Sequence, residues 1–396
     1  MLRSVKDLDL RGKRVFIRVD FNVPIKNGTI TDDTRMRASL PTIRYVLEQQ
    51  PKSIVIASHL GRPKGKPNPE YSLQPVATHL AELLGRHVAF VPFDEAGSRY
   101  VEAGSRPDGA PMISLLENLR FNPGEEKNDP GFAAQLASMA DVYINDAFGS
   151  AHRAHASTEA IVRHVKESGA GMLMAAEVEY LGRVLESPDR PFVAILGGAK
   201  VSDKLEVIQN LVPRVDALLI GGAMAYTFFK ARGLAVGKSL VEEDLLDAAR
   251  DVEAQARKRQ LRFELPADHV VASRIEAGAP TETLAVEDPS IGDRMGLDIG
   301  PKTIERYREI IRTAKTVTWN GPMGVFEIDA FAQGTIAIAR AVADVKGTTV
   351  IGGGDSIAAV VKAGVTDRIT HISTGGGASL EFLGGRQLPG VEALKR

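Results

Sequence analysis

Short uncharged runs rich in β-branched and apolar residues recur along the chain, each followed by a polar or glycine-rich exit and then by a helical period. Residues 14–19 form the first such strand and leave through Asp20-Phe21-Asn22-Val23-Pro24. Asn27-Gly28 has the composition of a hairpin turn, and Asp32-Asp33-Thr34-Arg35 leads into a helix carrying Leu40, Ile43 and Leu47. Residues 53–57 leave through Ser58-His59-Leu60-Gly61-Arg62-Pro63. A helix over 73–84 precedes a strand at 87–91, and residues 112–116 end in Glu117-Asn118-Leu119-Arg120-Phe121. After a polar loop and another helix, residues 141–144 run into Asn145 and the segment up to His155. This βα alternation predicts a mostly parallel sheet covered by helices on both faces.

The period changes once. Residues 172–185 read as one helix with Leu173, Ala176, Tyr180, Leu181 and Val184 on a single face, between Gly169-Ala170-Gly171 and Ser187-Pro188-Asp189. That predicts a helix connecting two domains, against the plainer reading of one more surface helix in a single large domain. The alternation then restarts. Residues 191–196 end in Gly197-Gly198-Ala199-Lys200, and residues 217–220 in Gly221-Gly222-Ala223. Residues 268–272 supply a third strand, and residues 316–319 end in Asn320-Gly321-Pro322-Met323-Gly324-Val325-Phe326-Glu327. Residues 348–351 end in Gly352-Gly353-Gly354-Asp355-Ser356, and residues 368–372 in Ser373-Thr374-Gly375-Gly376-Gly377. The expected fold is therefore α/β: two doubly wound parallel-sheet domains facing each other across a cleft and joined by a helix. In such sheets ligands lie beyond the carboxyl ends of the strands.

Composition narrows the class. A chain of 396 residues is long enough for two or three domains, each with its own core. The net charge is -1, with 25% charged and 44% hydrophobic residues, so there is no basic excess for a nucleic-acid backbone. Cysteine is absent, which excludes disulfides and Cys-ligated metal sites and suits a reducing compartment. Neither a signal-peptide pattern at the start nor an apolar run of ~18 residues is present, giving the expectation of a cytoplasmic protein with no membrane partner.

The strand exits of the two halves carry different chemistry. In the first half they bring Arg35, His59, Arg62, Arg120, His152 and Arg153, and forked guanidinium groups suit a small polyanion. In the second half they bring glycine loops, Lys200, Lys204, Asp355 and Glu327, which suit a nucleotide with Mg2+. The strand–glycine–helix junction at Gly352 to Ser356 aims backbone N–H groups and a helix dipole at one point, and Asp355 stands beside it to take Mg2+. A tight βα turn is the plain alternative for any single loop of this kind. An anionic substrate on one domain and a nucleotide on the other point to phosphoryl transfer across a cleft that closes to exclude water.

Several patterns carry less. Gly233 to Ser239 imitates a P-loop, but it is one residue short between its glycines and follows a helix end rather than a strand. Gly197-Gly198-Ala199 lacks the dinucleotide spacing and its distant acidic partner. His152 and His155 have no acidic set around them for a metal, and Asp203, Asp298 and Glu381 read as caps or surface charges.

The segments 19–24, 58–63, 117–121, 145–155, 196–204, 319–327, 352–356 and 375–380 together resemble phosphoglycerate kinases, in order and in spacing, over nearly the whole chain. The resemblance implies a monomer that reversibly transfers a phosphoryl group from 1,3-bisphosphoglycerate to ADP, giving 3-phosphoglycerate and ATP with Mg2+. It implies direct in-line transfer, with hinge-bending closure of the domains. Residues 1–170 would hold the phosphoglycerate, 171–187 would form the connecting helix, 188–378 would bind the nucleotide, and 379–396 would return to the first domain. Asp20, Phe21, Asn22, Arg35, His59, Leu60, Gly61, Arg62, Arg120 and Arg153 would bind the phosphoglycerate. Arg35 would also steady the transferring group, and Lys200 would follow the phosphoryl as it moves, making these two the catalytic residues. Gly198, Ala199, Lys204, Gly221, Gly222, Gly296, Leu297, Asn320 and Pro322 would surround the nucleotide, with Glu327 on the ribose. Gly353, Gly354, Asp355 and Ser356 would take its phosphates, Asp355 the Mg2+, and Gly375, Gly376 and Gly377 would line the transferring group.

Two positions depart from the family pattern. Ala223 stands where glycine is common, beside the expected adenine pocket, and Phe382-Leu383-Gly384-Gly385 replaces an acidic, leucine-rich continuation. Another two-lobed small-molecule kinase would share the nucleotide half without needing the arginine set. A non-catalytic nucleotide- or anion-binding protein would have no use for Lys200 and Asp355 together.

Overall fold

The computed structural model describes residues 2–93 and 112–395, and its contacts divide the chain into two units, Met1–Glu179 with Gln387–Arg396, and Tyr180–Arg386. The first unit opens with β1 (Arg14–Arg18), a short antiparallel hairpin of β2 (Ile25–Lys26) and β3 (Thr29–Ile30), and helix α1 (Thr34–Glu48). It continues through β4 (Ser53–Ala57), α2 (Gln74–Leu84), β5 (Ala89–Val91), β6 (Met112–Leu116), α3 (Pro130–Ala137), β7 (Val142–Asn145) and β8 (Glu167–Ala170). Six of these strands form a parallel sheet in the order β5-β6-β4-β1-β7-β8. The sequential path leaves β1 on one side for β4 and on the other for β7, so the carboxyl ends of β1, β4 and β7 surround the point where the winding reverses. That is the place where such sheets bind ligands.

Helix α4 (Met172–Glu186) crosses the division between the units after Glu179. Its first turn is capped from a distance. Asp146, just past β7, accepts from Leu173 N at 3.0 Å and Met174 N at 3.2 Å, and Thr42 Oγ1 of α1 accepts from Met172 N at 2.9 Å. Three otherwise unpaired N–H groups of the helix start are satisfied in this way.

The second unit has β9 (Phe192–Leu196), α5 (Leu205–Leu211), β10 (Ala217–Ile220), α6 (Ala225–Ala231), α7 (Leu246–Lys258) and β11 (Arg262–Glu264). Next come β12 (Asp268–Ala272), β13 (Glu282–Ala285), β14 (Met295–Ile299), α8 (Pro301–Thr313), β15 (Thr316–Asn320) and α9 (Gln333–Ala343). The unit closes with β16 (Thr348–Gly352), α10 (Gly354–Lys362), β17 (His371–Ile372) and α11 (Gly377–Leu383). Its parallel sheet runs β11-β10-β9-β15-β16-β17, with the reversal between β9 and β15. Every residue of β9 and β15 is buried, the continuous burial expected of a central strand covered on both faces. Trp319 is fully buried and donates to Gly321 O at 2.7 Å, and the Tyr307 hydroxyl of α8 donates to Ile220 O and is also within reach of Glu264 O, joining α8 to the ends of β10 and β11.

Three elements differ from the sequence reading. Residues 268–272 do not extend the parallel sheet; β12 pairs antiparallel with β13 and β14 in a separate three-stranded sheet, and β11 takes the edge instead. Strand β8 was not anticipated, because Glu-Ser-Gly-Ala lacks the β-branched signature and is held by pairing with β7. The chain also stays in the second unit beyond 379: α11 is tied to α5 by Asn210 Nδ2 donating to Leu383 O at 2.6 Å. Only from Gln387 does it join the first unit, where α12 (Pro389–Glu392) donates from Gly390 N to Ala151 O at 2.9 Å. Among the described residues no helix is long and apolar enough to cross a membrane.

Burial pushes the Asp146 carboxyl up to about 6, against an ordinary value of about 3.9. A raised carboxyl favours the folded chain fully below its unfolded pKa, and that contribution is lost as the pH climbs through the folded value. Asp146→Asn removes this titration. Its stability relative to the parent is expected to improve by roughly 1–3 kcal/mol between pH 4 and pH 7, measured by urea unfolding at both. A difference that does not change with pH would contradict this account.

Candidate functional site

In the first unit, the carboxyl end of β1 begins with a charge that the sequence reading passed over. Arg18 is fully buried; its Nε donates to Ser157 Oγ at 2.8 Å, one terminal nitrogen donates to Val19 O, and the other lies 3.2 Å from His59 Nδ1. Ser157 in turn donates from N and Oγ to the fully buried Glu125, at 3.0 and 2.6 Å. Burial pushes the Glu125 carboxyl upward, against the pull of Arg18 and the Ser157 donors. The interior strand residue Arg18 was the available signal, since a charge in a buried parallel strand demands partners.

Around this layer the structure gathers most of the anticipated cations. Arg120 is 7% exposed, donates to Gly61 O at 2.8 Å and lies 3.4 Å from Glu126. Arg35, from the first turn of α1, pairs with Asp20 at 3.2 Å. Arg153 donates to His152 Nε2 at 3.1 Å. Both buried histidines register the surplus. Burial first, then Arg18, Arg120, His155 and Arg35, hold His59 well below its ordinary value. Burial, then Arg120, Arg18 and Arg153, take His155 down to about 3. His59 is therefore neutral, and since Nδ1 faces the Arg18 donor, its proton is on Nε2. Arginines that add to burial in keeping two imidazoles unprotonated form a field suited to a multiply charged anion.

Loop backbone completes this half. Asn22 Oδ1 accepts from Gly61 N at 3.0 Å, and Asp20 Oδ1 accepts from Asn22 N at 3.2 Å, so the exits of β1 and β4 are joined. Arg62 is exposed beside them. Phe21 and Leu60 have buried side chains, with 0% and 5% exposure, so these two offer a ligand only their backbone.

In the second unit, the loops after β9, β10 and β15 pack backbone on backbone. A Cβ on Gly222, whose φ is +68°, would fall 2.5 Å from Gly198 N and O, and Gly198 N donates to Pro322 O at 2.9 Å. These loops open a cavity of about 530 Å³ lined by Gly198, Ala199, Gly222, Gly296, Leu297, Pro322, Glu327 and Asp355 among the anticipated residues. Ala223 lines it as well. So do Tyr226, Lys238, Ser239, Leu240, His269, Ile275 and Met295, which the sequence reading did not assign to the site. Leu240 and Ile275 are exposed apolar side chains at this cavity, of a kind suited to the faces of a nucleobase. The P-loop imitation at Gly233 to Ser239 has neither a strand before it nor a helix directly after it, yet Ser239 Oγ accepts from Gly296 N at 3.0 Å and holds that wall.

Next to the cavity is the start of α10. The first turn of α10 has no side-chain cap, its preceding residue Gly353 has φ +91°, and Asp355 is exposed in that turn. Lys204 is 8% exposed and donates to Asn320 Oδ1 at 2.8 Å; burial lowers its pKa, while Asp203 and Asp355 oppose that shift. The Asn320 Nδ2 amide is buried without a partner, 3.1 Å from where a Gly353 Cβ would stand. An orphaned donor, uncapped helix N–H groups and a buried lysine converge on one point, and a phosphate fits that point. Among the described residues no cluster of three or more ligating side chains could hold a metal alone. A single carboxylate, Asp355, with phosphate oxygens suits Mg2+, which keeps few protein ligands.

Some anticipated residues stand apart from the cavity lining. Lys200 is exposed on the loop after β9. The Ser356 hydroxyl accepts from Gly321 N at 2.6 Å, so its side chain braces the β15 exit and leaves its backbone for a phosphate. Gly375 N donates to Ser373 Oγ at 3.2 Å, and Gly376, with φ +53°, turns the chain into Gly377 and α11.

A model of the family described as phosphoglycerate kinase matches residues 5–386. The chain is 57% identical over 399 residues to the phosphoglycerate kinase of Koribacter versatilis, covering 99% of this chain and 98% of that one. It is 56% identical over 399 residues to that of Rubrobacter xylanophilus, with the same coverage. The structure is similar to that of phosphoglycerate kinase from Coxiella burnetii, with a TM-score of 0.89, 42% identity and coverage of 100% and 99% of the two chains. It is also similar to the crystal structure of the Pyrococcus horikoshii enzyme, with a TM-score of 0.83, 36% identity and coverage of 100% and 98%. With a family model over almost its whole length and relatives of this identity, the chain belongs to the phosphoglycerate kinase family.

Proposed function

We propose that this protein reversibly transfers the acyl phosphate of 1,3-bisphosphoglycerate to ADP, giving 3-phosphoglycerate and ATP, a phosphotransferase reaction with a carboxyl group as acceptor in reverse. The observation that carries the reading is the contrast between the units. One has buried histidines, His59 and His155, kept neutral by burial and by the arginines around them, and the other has a nucleotide-sized cavity next to an uncapped helix start.

The chemistry asks little of the protein beyond alignment and charge neutralisation. The acyl phosphate is already activated, and the attacking oxygen of ADP is already ionised, so a general base has no task. This agrees with two buried, neutral histidines surrounded by cations rather than by a nucleophile. Arg120, Arg153, Arg62 and the neutral Nε2–H of His59 would bind the phosphoglycerate, with Asn22 shaping the loop beneath it. Arg35, oriented by Asp20, would steady the transferring group, and the exposed Lys200 would stabilise the charge spread over its oxygens. Lys204, Asn320 Nδ2 and the first turn of α10 would hold the nucleotide phosphates, and Glu327 the ribose. Asp355 would hold Mg2+, which when bound offsets the negative charge of those phosphates. Gly376 and Gly377 would present backbone N–H groups to the moving phosphoryl, with the Gly375 N–H held by Ser373 Oγ.

A coupled assay with 3-phosphoglycerate, ATP and Mg2+ tests this. The parent protein should turn over, and Lys200→Ala should lower kcat by roughly 10²–10³-fold while changing either KM far less. Arg35→Ala should lower kcat and kcat/KM together. Near-normal turnover in Lys200→Ala would remove it from the catalytic role, and a parent protein without turnover would contradict the reaction itself.

A further inference from the structure

Asp298 reads in the sequence as a cap or a surface charge, but it is 5% exposed and lines the nucleotide cavity from the end of β14. One carboxylate oxygen accepts from Ile299 N at 2.9 Å, and the other accepts from Gly334 N, in the first turn of α9, at 2.8 Å. Helix α9 has no side-chain cap of its own, so a distant strand supplies the acceptor its start lacks. The fit on both sides is close. A Cβ on Gly334 would fall 2.3 Å from Asp298 Oδ1, and one on Gly324 would fall 2.5 Å from the same oxygen. Beside this contact, Val325 N donates to Leu297 O at 2.8 Å.

These bonds connect two walls of one cavity. Strand β14 carries Gly296 and Leu297, and the segment from β15 to α9 carries Pro322 and Glu327. We propose that Asp298 is a positioning residue of the nucleotide pocket: it fixes the Pro322–Glu327 segment against β14 and so sets the width of the base and ribose site. This rests on the reading of that cavity as the nucleotide pocket. No arginine or lysine bonds to Asp298 among the described residues, and burial pushes its carboxyl up to about 7, so the group is retained at a cost in stability. The phosphate cradle of α10, Lys204 and Asn320 is built from other residues. Losing Asp298 therefore loosens the base and ribose walls and leaves the reacting end in place.

The test is calorimetric titration of ADP with Mg2+ into the parent protein, Asp298→Ala and Asp298→Asn, with steady-state kinetics on each. Asp298→Ala should weaken ADP by roughly tenfold, as expected for losing a buried hydrogen-bond acceptor between the two walls. The KM for 3-phosphoglycerate should be unchanged and kcat should stay within about twofold, because neither the anion site nor the cradle is touched. Asp298→Asn keeps one oxygen acceptor, for Gly334 N–H, but sets its Nδ2 against Ile299 N–H, and should recover part of the ADP binding lost in Asp298→Ala. If Asp298→Ala does not fold, Gly334→Ala perturbs the same contact from the helix side and should show the same nucleotide-selective loss. Tight ADP binding by Asp298→Ala, equal losses for both substrates, or no recovery in Asp298→Asn overturns the proposal while leaving the pocket reading intact. A parent protein that does not bind ADP overturns both.

Discussion

A guanidinium with no exposure at the end of a central parallel strand constrains everything around it. Arg18 cannot be buried alone, because an unpaired charge in the interior costs far more than a domain's margin of stability. Its partners are drawn from three places in the chain: Ser157 with Glu125 behind it, the Val19 carbonyl, and the neutral ring of His59. Those partners fix the exits of β1 and β4 and the segment after β7 in one layer. Arg35, Arg120 and Arg153 then stand around a guanidinium already partnered by Ser157 and Glu125, and cationic surplus is left for a ligand.

The second unit solves the opposite problem with different means. Its loops carry few side chains and approach each other through glycine backbone, which leaves peptide N–H groups and the start of α10 as the source of positive potential. Asn320 shows the division of labour within one side chain: its oxygen holds Lys204, and its amide remains for a partner beside Gly353. Ser356, by contrast, is engaged by Gly321, and its hydroxyl belongs to the scaffold. Binding in one unit is therefore set by buried side-chain charge, and in the other by backbone geometry.

The strand exits were legible in the sequence because each ends an uncharged run and opens a helix, and that pattern also located Asp20, His59, Arg120, Gly198 and Asp355. Pairing partners were not legible. The run at 268–272 has the same β-branched character as a parallel core strand, and only tertiary contact assigns it to β13 and β14. Strand β8 has almost no intrinsic signal and exists through its register with β7. The supporting polar groups were missed for a related reason. Glu125 lies in a polar loop, Ser157 thirty-two residues further on, and Asp298 in a strand, and nothing local in the sequence announces that each is buried. The cavity walls at Tyr226, Leu240 and His269 come from segments without a motif, so they appear only once the loops are folded together.

The central claim is that arginine charge, added to burial, keeps the two histidines of the first unit neutral and awaits an anion. Ring resonances of His59 and His155, followed by NMR as a function of pH in the free protein and with saturating 3-phosphoglycerate, test it most directly. In the free protein both should titrate far below the ordinary histidine range, His155 near the value of about 3 that its surroundings impose. Bound anion should raise both, because a nearby negative charge favours the imidazolium. Ordinary titration of either ring in the free protein, or values indifferent to 3-phosphoglycerate, would contradict the account.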